Sequence, residues 1–151
     1  MEKIRVLVVD DNKAHVEGLA ELLELSGFDS SFVLTGLDAI KMAEQLSVDA
    51  VLLDVGLPDI KGHEVCRRLR INPVTANVAV IFHSGSQPVP LRDYEADAFL
   101  TYPISKVEVF AVIRGCVERR KAGHPNQGLQ VETSVVSGTS SGGDSFGQAQ
   151  S

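Results

Sequence analysis

The chain has few cysteines and no long apolar run. Its two cysteines, Cys66 and Cys116, are far apart in the sequence and lack the spacing of a cysteine metal site. No apolar stretch approaches the roughly 20 residues that are needed to cross a bilayer, so we expect no membrane role of its own. Because the first three residues lead directly into an apolar strand rather than a signal peptide, we expect a cytoplasmic protein with reduced thiols.

Long runs of lysine or arginine are also absent. The 151 residues carry a net charge of −6. A surface of this charge does not attract nucleic acid or anionic lipid, so we expect no nucleic-acid partner and no membrane binding. With 44% hydrophobic and 23% charged residues, the composition is that of one ordinary soluble domain with an adequate core.

The C-terminal residues differ in composition from the rest. Residues 122–151 contain six glycines and six serines but no lysine or arginine. Their few apolar side chains are too scattered to offset the entropy cost of ordering the chain. We therefore expect one domain at 1–121 and a disordered tail at 122–151, with a short partner-binding motif in the tail as the alternative.

Short apolar runs alternate with helical periods along the predicted domain. The runs are continuous rather than alternating, which is typical of parallel strands covered on both faces. They lie at residues 4–9, 32–34, 50–53, 78–82 and 98–100. Helical periods lie at residues 16–23, 40–46, 65–69 and 109–117. This order predicts an α/β fold, a doubly wound sheet of five parallel strands with helices on both faces.

Two helix starts are marked by capping-box patterns. Thr35 and Ser105 each precede an acid by three residues, Asp38 and Glu108 respectively. The segment between the fourth and fifth strands, 84–97, holds two prolines and leaves little room for a helix with its two loops. We expect a loop or one short helical turn there.

Polar residues follow the predicted strands. Ligands of a doubly wound sheet bind beyond the carboxyl ends of the strands. That edge carries Asp10, Asp11, Asp54, Ser84 and Tyr102. Three carboxylates in one place repel one another, so we expect a bound cation. Mg²⁺ fits best because it takes one or two carboxylates and leaves room for phosphate oxygens. The alternatives are that Asp11 or Asn12 only caps the first helix, that Asp54 only closes a turn and that Ser84 is only a loop hydroxyl.

Four segments carry a resemblance to a known family. They are VLVVDDN at 6–12, VLLDVGLPDIKG at 51–62, HSGS at 83–86 and AFLTYPIS at 98–105. In combination they make residues 3–121 similar to the response-regulator receiver family of two-component and phosphorelay signalling, and to its chemotaxis-regulator-like members. The resemblance implies a flavodoxin-like fold with the strand order 2-1-3-4-5.

The resemblance also implies roles for the acidic residues. Asp54 matches the aspartate that accepts a phosphoryl group from a histidine kinase or a histidine phosphotransfer protein. Asp10 and Asp11 match the acidic pair that holds Mg²⁺ together with Asp54 and the backbone carbonyl of Gly56. Ser84 matches the hydroxyl that turns toward the new phosphate. The cofactor implied is therefore Mg²⁺.

The switching side of the family pattern is altered. Phe99 matches the switch aromatic, but Tyr102 replaces the family lysine before the proline, and a phenol brings no positive charge at neutral pH. Lys106 either reaches back in its place or is an ordinary solvated lysine at a helix start, and we favour the second interpretation. The short 84–99 segment further predicts that the family's fourth helix is shortened or absent. The resemblance thus implies an atypical receiver.

Three functions compete. We favour a phosphoacceptor that signals to a downstream protein by protein–protein contact, with homodimer formation left open. The alternative is a phosphorylation-independent pseudo-receiver that acts as an interaction module. An aspartyl-nucleophile phosphatase would need a second acid where Gly56 stands, so we expect no enzyme. We assign the four histidines and both cysteines to surface or packing positions rather than to a metal: His15, His63, His83, His124, Cys66 and Cys116.

Overall fold

The computed structural model describes residues 2–84, 95–101, 105–123 and 129–132, in which strands and helices alternate. The strands are β1 Arg5–Val9, β2 Asp29–Val33, β3 Ala50–Asp54, β4 Ala79–Ser84, β5 Ala98–Thr101 and β6 Leu129–Glu132. The helices are α1 Lys13–Leu25, α2 Gly36–Leu46, α3 Gly62–Ile71 and α4 Lys106–Lys121. Across these ranges, none of the helices has the length and apolar character to cross a membrane.

The strands form one parallel sheet with the order β2-β1-β3-β4-β5-β6. The predicted order 2-1-3-4-5 is confirmed. β1 and β3 are neighbours, and Val9 pairs with Leu53 at the carboxyl end of both strands. The residues that follow them, Asp10 and Asp54, therefore lie side by side at one edge of the sheet.

The sheet has a hydrophobic core on each face. Alternate residues of the apolar strands supply the two cores, as Val8 and Leu52 do on one face and Val9 and Leu53 on the other. Helices α1 and α4 cover the first face, and α2 and α3 cover the second. Continuous apolar strands are required here because both faces are buried, which is the predicted doubly wound arrangement.

Three helices begin with a side-chain cap. Thr35 Oγ1 accepts a hydrogen bond from the Asp38 amide at 3.2 Å, and Ser105 forms a reciprocal capping box with Glu108. The predicted starts of α2 and α4 are thereby confirmed. At α1 the cap is Asn12, whose Oδ1 accepts from the His15 amide at 3.1 Å. Since Asn12 caps the helix, the preceding acidic pair is not used for that purpose.

The sheet extends beyond the predicted domain. β6 pairs with β5 from Ala98↔Leu129 to Thr101↔Glu132. The sheet therefore has six strands rather than five, and the prediction of a disordered tail over 122–151 is wrong for residues 129–132. A short edge strand needs backbone hydrogen bonds to the open edge of β5 rather than a core of its own, so the sparse apolar content of the tail did not reveal it. Residues 124–128 and 133–151 lie outside the described residues.

Two further boundaries bear on the predictions. β2 begins at Asp29, before the predicted apolar run, because it pairs with β1 from Arg5↔Asp29 onward and because Ser30 has partners on α1. Ser30 Oγ donates to the Ala20 carbonyl at 2.7 Å, and the Ser30 amide donates to Glu24 at 2.7 Å. The prediction of a shortened or absent helix after β4 concerns residues 85–94, which the structure does not describe.

A buried carboxylate closes the amino end of β5. Asp97 immediately precedes the strand and is fully buried. Its Oδ2 accepts from Arg70 Nη2 at 3.0 Å and from the Val80 amide at 2.7 Å, and its Oδ1 accepts from Arg120 Nε at 2.8 Å. This network ties α3 and α4 to the sheet at the end opposite Asp10 and Asp54.

Candidate metal and phosphoacceptor site

Three acids meet at the carboxyl ends of β1 and β3. One ligand oxygen each from Asp10, Asp11 and Asp54 can be chosen so that all lie within 4.8 Å of one another. Asp10 and Asp11 directly follow β1, and Asp54 is the last residue of β3, so the parallel pairing of the two strands brings the acids together. The predicted convergence of these carboxylates is thus seen in the geometry.

Asp10 is the buried member of the cluster. Its Oδ1 accepts the Asn12 amide at 3.0 Å, and its Oδ2 lies 2.7 Å from His15 Nδ1. Burial favours the neutral acid and pushes the pKa of Asp10 upward, but the Asn12 amide, the His15 hydrogen bond and the nearby His83 outweigh it and lower the pKa. The carboxylate of Asp10 is therefore held in its charged form.

Asp54 is half-buried and has the opposite electrostatic character. Burial is the main cause that raises its pKa, and the charges of Asp10 and Asp11 raise it further. The Gly56 amide, which donates to Asp54 Oδ1 at 3.2 Å, lowers the pKa of Asp54, and so does the nearby His15. Asp11 is exposed. A cluster of this kind is short of positive charge, and its hard oxygen donors have the chemistry that Mg²⁺ prefers.

Two histidines lie beside the cluster. His15 contacts Asp10 directly, and its ring lies 6.1 Å, centroid to centroid, from that of His83 in β4. Burial, the largest cause, lowers the pKa of His83 to about 4, so its imidazole is neutral at pH 7. His83 is buried in β4, which agrees with the prediction of a packing residue. His15 contacts Asp10 but does not belong to the group of potential metal ligands, so its assignment as a non-ligand stays a prediction. No spacing in the sequence signals the Asp10–His15 contact. His124 lies outside the described part of the chain.

The switching residues are described only in part. Phe99 lies in β5, fully buried, with its ring 6.1 Å from that of Phe82. Ser84 ends β4, next to the acceptor strand, but its side chain is not among those described. Tyr102 also lies outside the described residues. Lys106 is the exposed first residue of α4, and within the described ranges no ion pair joins it to an acid.

The segment that follows Asp54, residues 55–61 and here called the acceptor loop after the predicted role of Asp54, is anchored to two helices. At its end, the Gly62 amide donates to the Val55 carbonyl at 3.1 Å. A Cβ at Gly62 would lie 2.8 Å from both the Asp54 carbonyl oxygen and Val55 Cα, so only glycine fits this approach. Asp59 binds the amino end of α2 through two backbone amides. We did not predict this contact from the sequence, since no local pattern links residues so far apart.

The thiols behave as predicted. Cys66 and Cys116 are buried in the two cores. Burial is the main cause that raises the pKa of Cys66 to about 11 and that of Cys116 to about 12. Neither thiol has the lowered pKa of a reactive nucleophile.

A family comparison decides what this arrangement is. A family model described as the response regulator receiver domain matches residues 6–114. The chain belongs to the response regulator receiver domain family. The response regulator MprA of Mycobacterium leprae is 34% identical over 120 residues, which cover 78% of this chain and 53% of MprA. The DNA-binding dual master transcriptional regulator RpaA of Synechocystis sp. is 31% identical over 119 residues, which cover 76% of this chain and 49% of RpaA. The chain thus spans about half the length of these relatives.

Solved structures give the same fold. The receiver domain of the sensor histidine kinase PA1611 from Pseudomonas aeruginosa matches with a TM-score of 0.70 at 21% identity, covering 78% of this chain and 99% of that domain. That structure is described with a magnesium ion coordinated in the active site cleft. Receiver domains are signalling domains in two-component systems, and the fold, including the flavodoxin-like strand order, is the one expected for this family.

Proposed function

We propose that this receiver domain accepts a phosphoryl group on Asp54 in the presence of Mg²⁺ and passes the signal on by protein contact. The donor is a sensor histidine kinase or a histidine phosphotransfer protein, and the location is the cytoplasm. The observation that carries the proposal is the cluster of Asp10, Asp11 and Asp54, whose ligand oxygens lie within 4.8 Å of one another. Family membership over residues 6–114 supports the same function.

The residues at the site fit a hard divalent ion. Asp10, Asp11 and Asp54 offer carboxylate oxygens, and the carbonyl of Gly56 is the fourth protein ligand in this proposal. Bound there, Mg²⁺ would supply positive charge against the incoming phosphoryl oxygens. Burial is the main cause that raises the pKa of Asp54, and the charges of Asp10 and Asp11 raise it further, so a bound cation would favour the ionised carboxylate that acts as the nucleophile.

The chain's own residues supply the nucleophile and hold it in place. An oxygen of the Asp54 carboxylate attacks phosphorus, the bond from phosphorus to the donor histidine nitrogen breaks, and an acyl phosphate forms on Asp54. The Gly56 amide orients the carboxylate through Oδ1, and His15 with the Asn12 amide orients Asp10. The reaction needs positioning more than acid–base help.

The new phosphate then becomes the signal. It adds about −1.5 to −2 charges and three strong acceptor oxygens. In this proposal the Ser84 hydroxyl donates to one of them, and the buried ring of Phe99 in the adjacent strand β5 responds to the movement of β4. Tyr102 cannot supply the positive charge of the family lysine, so Mg²⁺ has to neutralise more of the negative charge of the phosphoryl group.

Phosphoryl labelling tests the proposal. The wild-type chain is incubated with acetyl phosphate or phosphoramidate, with saturating Mg²⁺ or with EDTA, and intact mass and peptide mapping report the phosphoryl group. We expect Mg²⁺-dependent label on Asp54 and none in Asp54→Asn. Asp38→Asn, an equivalent change at an exposed carboxylate in the first turn of α2, should label like wild type.

The pseudo-receiver is the second candidate, and Tyr102 in place of the family lysine is the observation that favours it. If neither donor labels the wild-type chain at saturating Mg²⁺, the phosphoacceptor proposal is rejected. A partner that binds wild type and Asp54→Asn equally well would then establish the interaction module. Label on a residue other than Asp54 would reject the assignment of the acceptor.

A further inference from the structure

Asp59 links the acceptor loop to the amino end of α2. Its Oδ1 accepts the Gly36 amide at 2.8 Å, and its Oδ2 accepts the Leu37 amide at 2.8 Å. The first amides of a helix have no partner within the helix, and the helix dipole favours a negative charge near them. Both carboxylate oxygens of Asp59 are thus engaged, and Asp59 is not a member of the acidic cluster.

The helix does not depend on Asp59 alone. Thr35, the residue before α2, already caps it by accepting the Asp38 amide. A local cap is sufficient to begin a helix. A second, remote carboxylate on the same helix end therefore does something that the first does not, which is to fix the loop that carries it.

The loop and α2 also interlock by packing. A Cβ at Gly36 would lie 2.7 Å from Ile60 Cγ1 and 2.8 Å from Val65 Cγ2, so the chain at the start of α2 passes directly over the residue after Asp59. Leu57 is buried in the same core. Between these anchors, Gly56 bonds Asp54 Oδ1 through its amide. In the chain, only Leu57 and Pro58 separate Gly56 from Asp59.

We propose that Asp59 is a positioning residue for the acceptor loop: its two hydrogen bonds to α2 hold Gly56 and Asp54 in the arrangement that binds Mg²⁺. This inference rests on the proposed function and deepens it. It assigns Asp59 no contact with the metal or the phosphoryl group. Backbone hydrogen bonds also lower the pKa of Asp59 against the opposing effect of desolvation, which keeps its carboxylate charged at neutral pH.

The first measurement is Mg²⁺ affinity by isothermal titration calorimetry. We expect Asp59→Ala to raise the Mg²⁺ dissociation constant about tenfold, the lower end of the effect of losing an outer partner of a metal site. Asp59→Asn keeps one acceptor oxygen and should be intermediate. The matched control is Thr35→Ala, which removes the cap at the same helix end and leaves the hydrogen bonds of Asp59 in place, and its Mg²⁺ affinity should equal that of wild type.

The second measurement needs neither metal nor phosphoryl donor. Hydrogen exchange of the metal-free protein reports the Gly56 and Gly62 amides, which close the two ends of the acceptor loop. Both amides should exchange faster in Asp59→Ala but not in Thr35→Ala.

A third measurement is phosphoryl labelling of Asp54. Labelling at limiting Mg²⁺ should fall in Asp59→Ala and recover at saturating Mg²⁺.

The outcomes separate this inference from the proposed function. The positioning role would be overturned if Asp59→Ala and Thr35→Ala lost Mg²⁺ affinity equally. It would also be overturned if the exchange of the Gly56 and Gly62 amides were unchanged in Asp59→Ala. If Asp59→Ala does not fold, Mg²⁺ affinity and amide exchange measured on Asp59→Asn decide instead. A wild-type chain that binds Mg²⁺ but takes no label rejects the proposed function and leaves the calorimetry and exchange data to decide on Asp59.

Discussion

Replacing Asp54 by asparagine should stabilise the metal-free protein. Burial and the neighbouring charges of Asp10 and Asp11 raise the pKa of Asp54, which means that the folded state holds the ionised carboxylate at a cost. Asparagine keeps the shape of the side chain and an oxygen for the Gly56 amide but removes the charge. The variant should therefore have a higher free energy of unfolding than wild type when Mg²⁺ is absent.

The size of the effect follows from the distances. The ligand oxygens of the cluster lie within 4.8 Å of one another. Two unit charges about 5 Å apart repel by about 1 kcal/mol in water and by about 3 kcal/mol at an effective dielectric constant of about 20. Because Asp54 is only half-buried and the Gly56 amide offsets part of the cost, we expect a gain of about 1 to 2 kcal/mol for Asp54→Asn.

The pH dependence has a definite sign. The folded pKa of Asp54 is raised above its unfolded value, so the cost of its charge is present in full above the folded pKa. As the pH falls through the folded pKa toward the unfolded value, wild type takes up a proton and the cost disappears. The advantage of Asp54→Asn should therefore be largest at neutral pH and vanish in acid.

Urea unfolding followed by circular dichroism measures the effect in EDTA and in saturating Mg²⁺. Mg²⁺ stabilises only a protein that binds it, so it should remove or reverse the advantage of Asp54→Asn. Asp59→Asn is the matched comparison because hydrogen bonds lower the pKa of Asp59, and the same change there should destabilise. A variant at 54 that is no more stable than wild type in EDTA, or a gain that persists in Mg²⁺, would refute the reasoning.

Three other predictions concern the scaffold and are checked by urea unfolding or hydrogen exchange. Gly62→Ala should destabilise because its Cβ meets backbone at 2.8 Å, whereas Gly18→Ala in α1, where nothing lies within 4 Å, should stabilise by about 1 kcal/mol. Asp97→Ala should lower the free energy of unfolding by about 3 to 5 kcal/mol because Arg70 and Arg120, both largely buried, lose their carboxylate partner. Lys13→Ala, which removes an exposed ion pair with Glu17, should change the free energy of unfolding little. Removal of residues 124–151 should speed the exchange of alternate β5 amides, which lose β6 as a partner; unchanged β5 exchange would contradict that pairing.

The central part of the fold could be predicted from the sequence because one physical constraint dominates it. A strand buried on both faces must be apolar throughout, and β1, β3 and β4 show this directly. The edge strands do not have to be apolar throughout. β2 has three polar residues among its five, and β6 is only four residues long. Backbone pairing with a neighbouring strand determines both strands, and such pairing is hardly visible in the local composition.

The site also contains residues that could be predicted from the sequence and residues that could not. Asp10, Asp11 and Asp54 could be placed together because each follows or ends a strand whose direction and neighbours were predictable. His15 and Asp59 could not be placed, since their contacts depend on how a helix begins and how a loop folds back. Sequence reasoning therefore finds residues positioned by the sheet and misses those positioned by contacts between side chains and distant backbone.

The charge balance of the pocket decides how the phosphoacceptor and the pseudo-receiver are to be told apart. Three carboxylates meet there, and the imidazole of His15 lies against Asp10, with Nδ1 2.7 Å from Oδ2. A phosphoryl group adds further negative charge, and Tyr102 brings none of the positive charge that the family lysine supplies. Such a receiver depends on Mg²⁺ more than one that keeps its lysine. Failure to label at low Mg²⁺ is therefore expected of both candidates, and only labelling at saturating Mg²⁺ distinguishes them.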